Sequence, residues 1–123
     1  MAIRYILIFI YIVLFTACFT QLTKSKSAIV IFKTPYLKFY DKGFITTYDD
    51  HIHLQIYNAG QVGLNLLIYK DRVCKSTFAC QDSKEFNNQY LSSSYRDDFL
   101  YTLFSKQKIY FKDKKNKILI KVK

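Results

Sequence analysis

The sequence predicts an α+β domain, with an antiparallel sheet of about five to seven strands and one or two short helices packed on it. Two patterns lead there. Apolar residues recur every second position through most of residues 36–75 and again over 109–122, and turn residues interrupt them. Beyond the amino-terminal apolar run, helical spacing, with apolar residues three and four apart in place of alternation, is confined to residues 83–104. A sheet with one apolar face needs a cover, and that helical stretch is available to supply it. An immunoglobulin-like β-sandwich is the alternative architecture for the same alternation.

The elements follow in order. Leu37 and Phe39 alternate with Tyr36, Lys38 and Tyr40, Asp41-Lys42-Gly43 reads as a turn, and Phe44 to Tyr48 reads as the returning strand. Ile52, Leu54 and Ile56 share one strand face, and His51, His53, Gln55 and Tyr57 share the other. Asn58-Ala59-Gly60 is the next turn, and Val62, Leu64, Leu66 and Ile68 continue the alternation up to a third turn at Lys70-Asp71-Arg72. A short strand at Val73 to Lys75 precedes a helix that Asp82 or Ser83 caps, with Phe86 and Tyr90 or Leu91 on one side. Ser94 and Asp97 form a capping-box pattern ahead of a second helix carrying Phe99, Leu100, Leu103 and Phe104. Ile109 and Phe111, then Ile118, Ile120 and Val122, make a final hairpin around residues 113–116, and its lysines guard an exposed strand edge.

Cys74 and Cys80 enclose five residues and form a structural disulfide in an oxidising compartment. Closing so short a loop contributes about 2 kcal/mol at most. The spacing is not the C-x-x-C of redox sites, and no histidine stands nearby for zinc.

The first eighteen residues, MAIRYILIFIYIVLFTAC, carry Arg4, an apolar run from Tyr5 to Phe15, and small residues at Thr16-Ala17 directly before Cys18. This resembles a bacterial lipoprotein signal. The resemblance implies cleavage before Cys18, a diacylglyceryl group on its thiol, and acylation of the new amino terminus. Residues 1–17 are then a signal peptide, 18–27 (the lipidated Cys18 followed by FTQLTKSKS) a flexible tether, and 28–123 a globular domain. The apolar stretch is too short to span the roughly 30 Å hydrocarbon core as a helix. Phe19 is not an acidic retention residue, so the expected location is the outer membrane, with the domain facing the periplasm.

The segments Pro35–Phe44, Leu54–Gly60, Cys74–Leu91 and Tyr95–Leu100 give the mature chain a resemblance to small lipoproteins of Campylobacter-type bacteria. That resemblance covers nearly the whole domain and brings no catalytic residues with it.

Net charge is +10, falling to +9 once Arg4 leaves with the signal. Such a balance favours anionic surfaces, and lysine in place of arginine favours diffuse attraction over bidentate phosphate recognition. In this compartment the expected partners are the membrane, through the lipid anchor, and an envelope protein or anionic lipid; no nucleic acid or small-molecule substrate is expected.

His51 and His53 stand about 6.5–7 Å apart on one strand face, close enough to share an ion with Asp49 or Asp50. Zinc-type sites need three or four ligands and the chain holds only these two histidines, so no metal or cofactor is expected. Ser92-Ser93-Ser94 lacks a glycine elbow, and Asp97-Asp98 reads as the start of a helix, so no catalytic constellation emerges.

The expected function is that of a non-enzymatic interaction or envelope-assembly module, with Tyr57, Tyr69, His51 and His53 as the candidate partner-binding face. The alternative is a lipid or lipoprotein carrier, similar to the outer-membrane receptor of the lipoprotein sorting system. A carrier needs an open apolar cavity lined by Leu54, Ile56, Leu64 and Leu66.

Overall fold

The computed structural model describes residues 2–16, 23–75 and 79–123. Helix α1 (Ala2–Thr16) carries Arg4 near its start, is mostly apolar beyond it, and is solvent-exposed over residues 2–13. Its fifteen residues reach about 22 Å at 1.5 Å per residue. Among the described residues no helix is long and apolar enough to cross a membrane.

The rest builds one antiparallel sheet of eight strands: β1 (Lys24–Lys33), β2 (Lys38–Thr47), β3 (Ile52–Asn58), β4 (Gln61–Ile68), β5 (Arg72–Cys74), β6 (Cys80–Asp82), β7 (Tyr110–Asp113) and β8 (Ile118–Val122). Their order is β6-β5-β4-β3-β2-β1-β8-β7. Two short helices, α2 (Ser83–Tyr90) and α3 (Phe99–Phe104), lie between β6 and β7 in sequence. Phe86, Leu91, Leu100, Leu103 and Phe104 join Val30, Phe32, Leu54, Leu66, Ile68 and Ile120 in one core. The α+β class holds, as an open sheet and not a sandwich, with eight strands in place of five to seven.

The strand count differs for three local reasons. Residues 41–43 are not a turn: β2 runs straight through them, Gly43 pairing with Ala28 on one side and Ile56 on the other. A Cβ at Gly43 would sit 2.6 Å from the Gln55 carbonyl oxygen and 2.8 Å from Val30 Cγ2, so this glycine permits close strand approach. The real reversal is at Thr34–Leu37. Secondly, β1 begins at Lys24, inside the stretch expected to be tether, and pairs with β2 from its first residue. Thirdly, Cys80–Asp82 forms strand β6 against β5.

Thr34 organises the β1–β2 reversal. Its hydroxyl accepts hydrogen bonds from the Tyr36 and Leu37 amides at 3.1 and 2.9 Å, and only 2% of Thr34 is exposed. Thr34→Val keeps the shape and strands both amides. It is expected to destabilise the domain by about 1–3 kcal/mol, read from chemical denaturation midpoints; a loss within error of zero would show that water satisfies those amides. The Asn58–Gln61 turn is as the sequence reads: Ala59 (φ 53°) and Gly60 (φ 81°) both occupy the left-handed region, as a two-residue hairpin turn requires.

The helices are capped differently from the sequence reading. Asp82 makes no side-chain capping bond, and the Ser83 hydroxyl donates to the Lys70 carbonyl at 3.3 Å. The Ser94 hydroxyl pairs with that of Ser92 at 2.8 Å, and α3 begins only at Phe99. Tyr95 accounts for the late start. Its ring packs with Phe99 and Phe111 at centroid distances of 4.6 and 5.5 Å, and its hydroxyl donates to Asp113 Oδ2 at 2.5 Å, drawing residues 92–98 into turns.

This hydrogen bond couples stability to pH. The Tyr95 hydroxyl and Asn116 hold the Asp113 carboxyl below its ordinary 3.8, while burial and the Asp113 carboxylate push the Tyr95 phenol far above its ordinary value. The carboxylate's contribution is therefore present above the normal carboxylate range and fades as pH falls through its lowered value. The phenol's contribution is complete below pH about 10 and persists into strong alkali. The stability gap between the wild type and Tyr95→Phe is expected to stay constant from pH about 5 to 9 and to narrow below pH about 3. A gap unchanged into acid, measured by denaturation at each pH, would contradict this coupling.

Candidate functional site

With α2 and α3 on one side, the opposite side of the sheet is left open by both helices and carries exposed residues such as Tyr40, Phe44 and Tyr110. Strand register decides which side chains lie there. Ile31 faces Tyr40 across one ladder and Lys121 across the other, and His53 stands between Thr46 and Leu67. Following the same alternation, His51, His53, Tyr57 and Tyr69 all belong to this open face.

Their neighbours are specific. The His51 ring stacks between Tyr48 (4.5 Å, 8°) and Tyr69 (4.8 Å, 22°), and the Arg72 guanidinium lies 3.7 Å from the Tyr69 ring centre. This ladder crosses the ends of β2, β3, β4 and β5. His51 Nδ1 is 2.6 Å from Asp50 Oδ1, a contact that lowers the Asp50 pKa. His53 Nε2 instead meets Asn65 Oδ1 at 2.5 Å, so each imidazole is held by a different partner. Among the described residues no group of three or more His, Cys, Asp or Glu is placed to hold a metal ion. Tyr57 meets the edge of Phe44 at 5.7 Å.

The other half of the open face, on β2, β1, β8 and β7, has a different chemistry. It carries Lys33, Lys38, Lys42, Lys112 and Lys121, with Tyr40, Phe44 and Tyr110 among them. Tyr40 is 59% exposed and Tyr110 50%. Lys33 and Lys123 lie 5.9 Å from the Tyr40 ring centre, and Lys121 lies 5.7 Å from that of Tyr110. Both carboxylates of these strands, Asp41 and Asp113, alternate to the helix side, where their strand partners are Val30 and Ile118. Lys33 and Lys38 are directly paired like charges, an arrangement that disfavours folding. None of the ion pairs among the described residues involves a lysine.

Comparison with known protein families, curated proteins and solved structures finds no match. The candidate site therefore rests on this chain's own geometry.

Sequence reading missed the lysine-rich half because its neighbours are distant in the chain. Tyr40 was legible as an outer-face residue, but nothing local places Lys121 beside Ile31 or Tyr110 beside Lys121. Of the lysines that the sequence assigns to an exposed edge, Lys112 does lie on the edge strand β7, whereas Lys121 lies on β8, an inner strand between β1 and β7.

The disulfide joins Cys74 and Cys80, which are paired residues of β5 and β6. It staples the sheet edge from which α2 departs. Cys18 lies outside the described residues. The four side chains expected to line a carrier cavity are closed in: Leu54, Ile56 and Leu66 are 0% exposed and Leu64 8%, packed in the core with Phe86, Leu100 and Phe104. A surface cleft of about 440 Å³ lies elsewhere, between the start of β1 and the chain after α3, lined by Lys24, Lys26, Ile45, Thr47, Phe104 and Ile109 among others.

Proposed function

We propose that this chain is an outer-membrane lipoprotein of the kind found in Campylobacter-type bacteria, acting as a non-enzymatic interaction or envelope-assembly module. Its anchor is an acylated Cys18 and its working surface is the open face of the sheet. The observation that carries this reading is the pairing of a lipid-attachment pattern with a domain whose interior is filled and whose second sheet face is left bare. A bare sheet face with exposed tyrosines suits a docking surface. The filled space around Leu54, Ile56 and Leu66 favours this reading over a lipid carrier, which would keep that space open.

The test is metabolic labelling with a palmitate analogue, followed by membrane fractionation. The wild type is expected to take up label and remain with outer membranes, and Cys18→Ala to lose both. A variant that keeps label and membrane residence would sink the anchor, as would a cytosolic wild type retaining residues 1–17.

A further inference from the structure

Resting on that reading, we propose that the lysine-rich half of the open face docks the domain flat on the phosphate-bearing surface of the bilayer that anchors it. On β1, β2, β7 and β8 this face carries five lysines and no carboxylate, and one pair of those lysines is directly opposed. An anionic surface relieves that repulsion. A second copy of this chain would bring the same positive face and increase it.

The apolar residues between the lysines fit the same occupant. Tyr40, Tyr110 and Phe44 are exposed large aromatics, and Ile29, Ile31 and Leu119 form the ground between them. Tyrosine combines a ring that accepts the acyl boundary with a hydroxyl that stays among head groups. Lysine, with its long stem and compact charge, suits diffuse attraction to many phosphates better than a single bidentate contact. Electrostatic attraction of this kind falls off within about a Debye length, so it needs the domain close to the membrane.

Chain length keeps it close. From Cys18 to Lys24 is six residues, at most about 20 Å of chain at roughly 3.5 Å each. Lys24 opens β1, which lies inside the lysine-bearing half of the sheet. The anchor therefore delivers this face at high local concentration, and weak individual contacts suffice.

The chain contains no tryptophan, so single reporters are clean. The mature acylated protein carrying Tyr40→Trp, or separately Tyr110→Trp, is purified from membranes and reconstituted through its Cys18 anchor into vesicles of phosphatidylcholine alone or with one third phosphatidylglycerol. Asn88→Trp, at an exposed position of α2, is the control. In the anionic vesicles both open-face reporters are expected to shift to the blue and to be quenched by brominated lipids, with little change in neutral vesicles and none at Asn88. Lys33→Glu, Lys42→Glu and Lys121→Glu combined should abolish the shift while the protein still floats with the vesicles, since each lysine near such a surface accounts for about fivefold in occupancy.

Open-face reporters that respond identically in both vesicles, with the protein still floating, would overturn the docking proposal alone. Failure to float at all would overturn the anchored reading beneath it. Shielding in isolated envelope membranes but not in protein-free anionic vesicles would assign the face to a protein partner and reject the lipid surface.

Discussion

Phe86→Ala is expected to lower the stability of the domain by about 3–5 kcal/mol, the range for removing a fully buried aromatic. Phe86 is 0% exposed and is the main apolar anchor of α2, whose eight residues gain no side-chain cap. An isolated helix that short does not hold together in water. It is also tied by Tyr90 and its C-cap Leu91 against the core, by Asn87 Nδ2 donating to the Arg96 carbonyl at 2.8 Å, and by the Ser83 hydroxyl donating to the Lys70 carbonyl. Removal of the ring leaves a void against Tyr90, whose centroid is 4.8 Å away, and loosens the cover over Ile68 and Val73. Denaturant midpoints give the measurement, and the conservative Phe86→Leu should recover more than half of the loss. A loss below about 1 kcal/mol would mean that α2 is held mainly by its hydrogen bonds and the disulfide.

Gly43→Ala comes next, at about 3 kcal/mol, near the upper end for overpacking. The added methyl would lie 2.6 Å from the Gln55 carbonyl oxygen, a ladder atom of β3, and 2.8 Å from Val30 Cγ2 in the core. A backbone oxygen cannot rotate away, so β2 and β3 must separate where the sheet is fully paired on both sides. Gly60→Ala is the comparison. Space around Gly60 is open, and only its φ of 81° opposes a side chain, so the cost there is about 1–2 kcal/mol. If the two variants lose equal stability, the close approach at Gly43 is not what constrains that position.

The legible parts of this fold were those with local contrast. The β3–β4 hairpin, with its Asn58–Gly60 turn, alternates cleanly because one face is buried and the other wet. The same holds for Ile118, Ile120 and Val122. Strand β1 was missed as a strand because Val30, Ile31 and Phe32 are all at least 94% buried, which leaves a continuous apolar run without a period. Ile31 belongs to the open face, where its cross-strand neighbours are Tyr40 and Lys121. Glycine misled in the opposite direction: Gly43 after an aspartate reads as a turn, yet its role appears only once β3 is laid beside β2.

The candidate site divides along the same line. His51, His53, Tyr57 and Tyr69 lie on two strands joined by one tight turn, or at their ends, so sequence alternation alone puts them on a common face. Their individual partners did not follow from it, because Tyr48 and Arg72 enter from neighbouring strands. The lysine-rich half needed the β1–β8 pairing, which no local pattern announces.

That pairing also orders events in time. Val30 meets Val122, and Phe32 meets Ile120, across about ninety intervening residues. During synthesis residues 30–33 emerge well before residues 119–122, and until the later strand is available the earlier one has a vacant flank. Joining β1 to β8 thus closes the longest loop between neighbouring strands of the sheet, whereas β1 and β2 meet across a four-residue reversal.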